Sequence, residues 1–145
     1  MRLSRVKHLL DVNVLIALTD KDHEHHADVM RWFSTPGLDW GICTFTEAGF
    51  LRLATNPRWG AHSLDSSTAV LAELTHSSGY SFWPISANWA TLAAPFRERI
   101  FGHQQITDAF LLGLAVQEDG VLVTLDKAIQ HLAGARLSHH VLVLA

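Results

Sequence analysis

Four acidic residues stand where apolar runs end or helical patterns begin. Asp11 follows Val6, Leu9 and Leu10; Glu47 follows the stretch Leu38 to Thr44; Asp108 opens an apolar-periodic segment; and Asp126 follows Val121 to Leu125. Each has a plain structural use, because Asp at a helix N-cap and Glu in a first turn satisfy free N–H groups and favour the helix dipole. Gathered at one edge of one sheet, however, four carboxylates repel one another, and such clusters persist mainly where a cation neutralises them. An all-oxygen set suits Mg²⁺ or Mn²⁺, whereas Zn²⁺ usually takes His or Cys. Mg²⁺ keeps waters and needs only a few carboxylates plus substrate phosphate, as phosphodiester hydrolysis by metal-activated water requires.

The elements that must position these acids alternate. Val6 to Leu10 reads as a strand and Val12 to Leu18 as a short helix; Ala27 to Phe33 as a helix closed by Pro36-Gly37; Leu38 to Thr44 as a strand. Thr46-Glu47 opens a helix stopped by Asn56-Pro57, and Thr68 to His76 forms another after a serine-rich lead. Then come a strand at Tyr80 to Ile85, a helix at Trp89 to Ile100 containing Pro95, and a helix at Ile106 to Gln117. A strand at Val121 to Thr124, a short helix at Lys127 to Leu132 and a strand at Val141 to Leu144 complete the order. This βαβα succession predicts an α/β fold, a parallel sheet with helices on both faces. Ligands of such sheets bind beyond the carboxyl ends of the strands, where these acids fall. The helical stretch Thr46 to Ser78 has a second reading, as a protruding clip or a dimer face.

At 145 residues, with 48% apolar and 17% charged residues, the chain has core material enough for one domain over residues 1–145 without disulfides. Its one cysteine, Cys43, has apolar neighbours and reads as a buried small hydrophobe in a reducing, cytoplasmic setting. The basic stretch Met1 to Lys7 leads into an apolar run broken at Asp11, so neither a signal peptide nor a membrane span is expected. A net charge of −3 argues against a protein that coats nucleic acid through a basic surface, but an acidic metal pocket itself consumes negative charge, so a nuclease is not excluded.

Other candidates carry less. His23-Glu24-His25-His26 lacks the paired histidines of a zincin helix and reads as a solvated helix start. His103 has two readings, a phosphate contact or an ordinary loop residue. Trp59, beside Arg52 and Arg58, fits a core or dimer-interface role better than RNA stacking, and Trp32, Trp40, Trp83 and Trp89 read as core. Arg97 and Arg99 are the better phosphate contacts. A rival enzyme class, an aspartyl phosphotransferase of the haloacid dehalogenase type, is suggested by Asp11-Val12-Asn13-Val14. It is weakened by Asn13, since an amide cannot transfer the proton that the second acid of that motif transfers. A non-catalytic interaction module, in which the acids only cap helices, is the other alternative.

The segments Leu9 to Leu15, Ile106 to Leu112 and Leu122 to Lys127 resemble the successive acidic motifs of PIN domains, and more narrowly those of VapC toxins of toxin–antitoxin modules. The likeness extends through Cys43 to Glu47, Arg52 to Pro57 and the His23 to Trp32 segment, in the family's order. It implies a PIN fold, Mg²⁺-dependent endoribonuclease activity, an RNA substrate, a homodimer and inhibition by a small VapB-type antitoxin. Position by position, Asp11, Glu47 and Asp108 match the family's three best-defined acids and Asp126 its more variable fourth. Asn13 and Thr107 lie beside these acids and have two readings: they orient the acids, or, for Thr107, cap a helix.

Overall fold

A computed structural model describes residues 5–145; the start of the basic stretch at Met1 lies outside them. The strands are β1 (Lys7–Leu10), β2 (Asp39–Ile42), β3 (Tyr80–Phe82), β4 (Val121–Thr124) and β5 (Val141–Val143). The helices are α1 (Val12–Thr19), α2 (His26–Phe33), α3 (Thr44–Ala54), α4 (Leu64–Thr75), α5 (Trp89–Ala93), α6 (Gln105–Gln117) and α7 (Ala128–Leu137), with 3₁₀ turns at Ala94–Arg99 and Ser138–His140. All pairings are parallel, in the order β3-β2-β1-β4-β5. The expected α/β architecture is therefore present.

The reason lies in adjacent apolar residues of the central strands, whose side chains point to opposite faces. Leu9 and Leu122 are fully buried in the cluster formed with Phe96, Leu112 and Leu132, while Leu10 and Val123 are fully buried in the cluster of Val14, Val29, Ile42 and Phe50. Helices α5, α6 and α7 cover one face and α1 to α4 the other. Where a strand is buried on both faces it must be apolar, as Leu9-Leu10 and Leu122-Val123 are. Chain direction across the sheet reverses between β1 and β4, so the switch point opens a crevice at their carboxyl ends.

Several boundaries differ from the sequence expectation, each for a local reason. α3 begins at Thr44 because Cys43 caps it: the Cys43 N–H donates to Thr46 Oγ1 at 3.0 Å and the Thr46 hydroxyl donates to the Cys43 carbonyl at 2.8 Å. α4 begins at Leu64, ahead of Thr68, because Ser63 Oγ accepts the Ser66 N–H at 3.0 Å. The expected helix Trp89 to Ile100 changes to a tighter 3₁₀ turn at Ala94, with Pro95 among its first residues. β3 stops at Phe82, short of Pro84, which has no N–H to give a ladder. α7 runs past Leu132 through a kink at Gly134, whose φ of +70° favours glycine. Trp40 and Trp83 are buried and Trp32 and Trp89 half-buried, but Trp59 is 75% exposed, so the core role considered for it does not hold. No helix among the described residues is long and apolar enough to cross a membrane.

Candidate active site

Asp11 begins the site. Its backbone N–H donates to the Val123 carbonyl at 2.9 Å, extending the β1–β4 ladder by one residue past β1. Its side chain then does two things. Oδ1 accepts the Val12 N–H at 2.8 Å, capping α1, and Oδ2 accepts the hydroxyl of Thr124 at 2.8 Å. Capping and a site role therefore coexist in this residue. Burial pushes the Asp11 carboxyl up, the bonds from Thr124 and Val12 oppose that shift, and the charge of Asp126 adds to it.

Thr124 is the residue that sequence reasoning missed. It ends β4, is fully buried, and uses its whole hydrogen-bonding capacity here. Its hydrogen goes to Asp11, while its oxygen accepts Asn13 Nδ2 at 3.3 Å and the Asp126 N–H at 3.1 Å. Asn13 closes the lattice from the other side, its Oδ1 accepting the Leu125 N–H at 3.1 Å. Asn13 thus pins the end of β4 to the first turn of α1. The only signal in the sequence is a hydroxyl in the apolar run Val121-Leu122-Val123-Thr124, two residues before an acid.

Asp126 is half-buried, and its Oδ1 accepts the Ala128 N–H at 2.9 Å, turning the chain into α7. Asp108 lies in the first turn of α6, where its carboxyl is pushed from 3.8 up to about 6 by burial and then by the charges of Asp11 and Asp126. These three acids feel one another. Thr107 is exposed and third in α6, with Gln104 at the N-cap position, so it is not the cap considered for it.

Glu47 stands in the first turn of α3, half-buried, and two contacts hold that turn beside the aspartates. Phe45 packs edge-on against Phe110 of α6 with ring centroids 5.3 Å apart. Gly49 lets α3 close on α1: a Cβ there would lie 2.7 Å from Val12 Cγ2. The Glu47 charge registers on Tyr80, whose phenol is raised by burial, then by Glu47 and Cys43. Glu47 therefore stands on a helix held against α1 and α6, the helices that follow Asp11 and carry Asp108, and lies near the Tyr80 phenol.

Among the described residues, no three acidic, His or Cys side chains form a preformed metal cage. The group nevertheless fits Mg²⁺ or Mn²⁺. Burial first, and neighbouring negative charge after it, raise both Asp11 and Asp108, and no Lys or Arg forms an ion pair with any of the four acids among the described residues. Mg²⁺ is held through one or two carboxylates and its own waters, not by a closed protein cage.

The remaining candidates lie elsewhere. His25 is near Glu24 and Asp28, at 3.5 and 3.9 Å, and His26 bonds the Ala17 carbonyl at 2.7 Å, the pattern of a helix start. Arg52, Arg58 and Trp59 sit at the far end of α3 from Glu47. The same end borders a cavity of about 640 Å³ lined by Ile16, Phe50, Trp59 and Val70, which contains none of the four acids. Arg97, Arg99 and His103 are exposed on the approach to α6.

The sequence model of the PIN domain matches residues 8–135, a span that begins with β1 and includes all four acids. The chain belongs to the PIN-domain family. Within this PIN domain the match reaches from the strand before Asp11 into α7, so the whole switch-point crevice lies inside it. Two relatives from Mycobacterium tuberculosis are each 38% identical: Ribonuclease VapC44 over 83% of this chain and 87% of its own length, and Ribonuclease VapC39 over 89% and 95%. The fold is similar to that of VapBC2 from Rickettsia felis, crystallised with a DNA fragment from its promoter, with a TM-score of 0.62 and 13% identity over 88% of this chain and 93% of that one.

Proposed function

We propose that this PIN domain is the endoribonuclease toxin of a toxin–antitoxin module. The single observation that carries the reading is the aspartate group at the β1–β4 switch point: Asp11 and Asp126 tied to Thr124, with Asp108 close enough to feel the charge of both. It is supported by the similarity to proteins named as VapC ribonucleases over nearly their full length.

Asp11, Glu47, Asp108 and Asp126 would hold Mg²⁺, with Mn²⁺ as a substitute. When bound, the cation activates water for attack on an RNA phosphodiester and offsets the charge of the phosphate. The chain's own part is positional. Thr124 fixes the rotamer of Asp11, Asn13 fixes the strand end that carries Thr124, and burial keeps Asp11 and Asp108 poorly solvated, which strengthens their response to a cation. The expected products carry a 5′-phosphate and a 3′-hydroxyl. Asn13 has both ends of its amide engaged, which disfavours the phosphotransferase alternative with a proton-transferring group there.

The same acids suit a second cationic ligand. A small VapB-type antitoxin would inhibit by placing an arginine among Asp11, Glu47 and Asp108, since a guanidinium pairs bidentately with carboxylates and displaces metal. The active form is taken to be a cytoplasmic homodimer. The test is incubation of the purified protein with total RNA in EDTA, Mg²⁺ and Mn²⁺. Cleavage should appear with either metal and vanish in EDTA; cleavage undiminished by EDTA would overturn the reading.

A further inference from the structure

Phe101 is 87% exposed, more than any other large apolar side chain among the described residues. It lies between the 3₁₀ turn and α6, so it stands at the end of α6 that carries Asp108. Its backbone is held: the Phe101 N–H donates to Gln105 Oε1 at 2.6 Å, the Gln105 N–H donates to the Gly102 carbonyl at 3.1 Å, and the Trp89 indole donates to the Ile106 carbonyl at 2.9 Å. The ring is nonetheless in solvent, and the neighbouring Gly102 has open space around its α-carbon. A single exposed apolar residue is ordinary on a protein surface. This one sits on a hydrogen-bonded backbone just before the first turn of α6, in a short stretch that also bears Arg97, Arg99 and His103. Neither arginine has a carboxylate in ion-pair range among the described residues.

The Arg99 guanidinium lies over Gly134 of α7, which leaves Arg97 as the nearer exposed cation. An exposed aromatic face on a hydrogen-bonded backbone, with a cation in the same stretch, is complementary to a single-stranded nucleic acid, which offers an unstacked base and flanking phosphates together. We propose that Phe101 is a substrate-positioning residue: it stacks one base of single-stranded RNA at the end of α6 that carries Asp108, while Arg97 meets an adjoining phosphate. This rests on the ribonuclease reading. Because every base has a π-face, the ring contributes affinity with little choice of sequence, and an A-form duplex gains nothing from it.

The experiment measures anisotropy of a labelled mixed-sequence 20-mer RNA with the whole protein, in EDTA so that no cleavage intervenes, beside a Mg²⁺ cleavage assay. Phe101→Ala should weaken single-strand binding by roughly 5- to 150-fold, the range for loss of one base stack. KM should rise with kcat little changed, the duplex form of the same RNA should bind unaltered, and Phe101→Trp should retain binding. Trp59→Ala, which removes an exposed aromatic beyond the end of α3 farther from Glu47, should bind like wild type. Thermal melts and light scattering accompany each variant. If Phe101→Ala binds and cleaves like wild type, or if its loss tracks a change in oligomeric state and so a covering second copy or protein partner, the inference is wrong and the ribonuclease reading stands. If wild type neither binds nor cleaves RNA, both fall.

Discussion

The Thr124 hydroxyl reaches Asp11 Oδ2 at 2.8 Å across the seam between β1 and β4, while Asn13 and the Asp126 N–H take its two lone pairs. Thr124→Val keeps the shape and removes the hydroxyl, so a buried carboxylate loses a donor and two donors lose an acceptor. Stability should drop by about 1–3 kcal/mol and cleavage by roughly 10- to 100-fold. Thr124→Ser should restore most of both. A melt and a cleavage time course check this; Thr124→Val cleaving at the wild-type rate would remove Thr124 from the site.

Asp11→Asn separates charge from capping. Asn caps a helix as well as Asp, so the bond to the Val12 N–H survives. The amide nitrogen cannot accept the Thr124 hydroxyl, a loss that offsets the relief of repulsion, and the metal-free variant should lose no more than about 1–3 kcal/mol, the cost of that one bond. Wild type should gain about 1.4 kcal/mol at ten times the Mg²⁺ dissociation constant, and Asp11→Asn should lose most of that gain along with cleavage. Asp126→Asn tests the outer aspartate in the same way. Equal Mg²⁺ responses in wild type and Asp11→Asn would reduce Asp11 to a cap.

Asp108 predicts a pH dependence of the metal-free protein. Its carboxyl moves from 3.8 to about 6 on folding, so between those values the native chain binds more protons than the unfolded one. Its contribution to stability therefore declines as pH rises from about 4 to about 6. Compared with wild type in EDTA, Asp108→Asn should become progressively more stable across that window. A difference in melting temperature that stays flat, or has the opposite sign, would show that folding does not raise the Asp108 carboxyl, by burial or by the charges of Asp11 and Asp126.

Gly49→Ala should push α3 away from α1, because the new methyl meets Val12 Cγ2 at 2.7 Å. The expected loss is about 1–3 kcal/mol, with cleavage falling further than the melt alone explains because Glu47 moves with its helix. Adding Val12→Ala opens the space and should recover much of the activity. Failure of the double variant to improve on Gly49→Ala would mean that the α1–α3 contact does not set the position of Glu47.

What was legible in the sequence follows periodicity and chain termini of elements. The apolar pairs Leu9-Leu10 and Leu122-Val123 announce strands buried on both faces, and an acid following each announces a polar edge. Thr124 was not legible, because a threonine in a buried strand looks like any β-branched strand residue, and its partners Asn13 and Asp11 are 111 and 113 positions away. The onset of α4 was obscured for the opposite reason: Ser63, Ser66 and Ser67 each offer a cap, and only packing chooses among them. Trp59 misled because tryptophan is usually buried, and no local pattern marks the turn that holds it outside.

The β1–β4 pairing, in which Leu9 lies against Leu122, also orders events in time. A ribosome produces Asp11 a full 113 residues before Thr124, so the carboxylate has no rotamer restraint, and the crevice no second wall, until that whole stretch has emerged. Closing a contact of such long range is late and slow relative to local helix formation. A nuclease built this way stays harmless to the messenger from which it is being translated, and a chain cut short before β4 carries most of its acids without the means to use them.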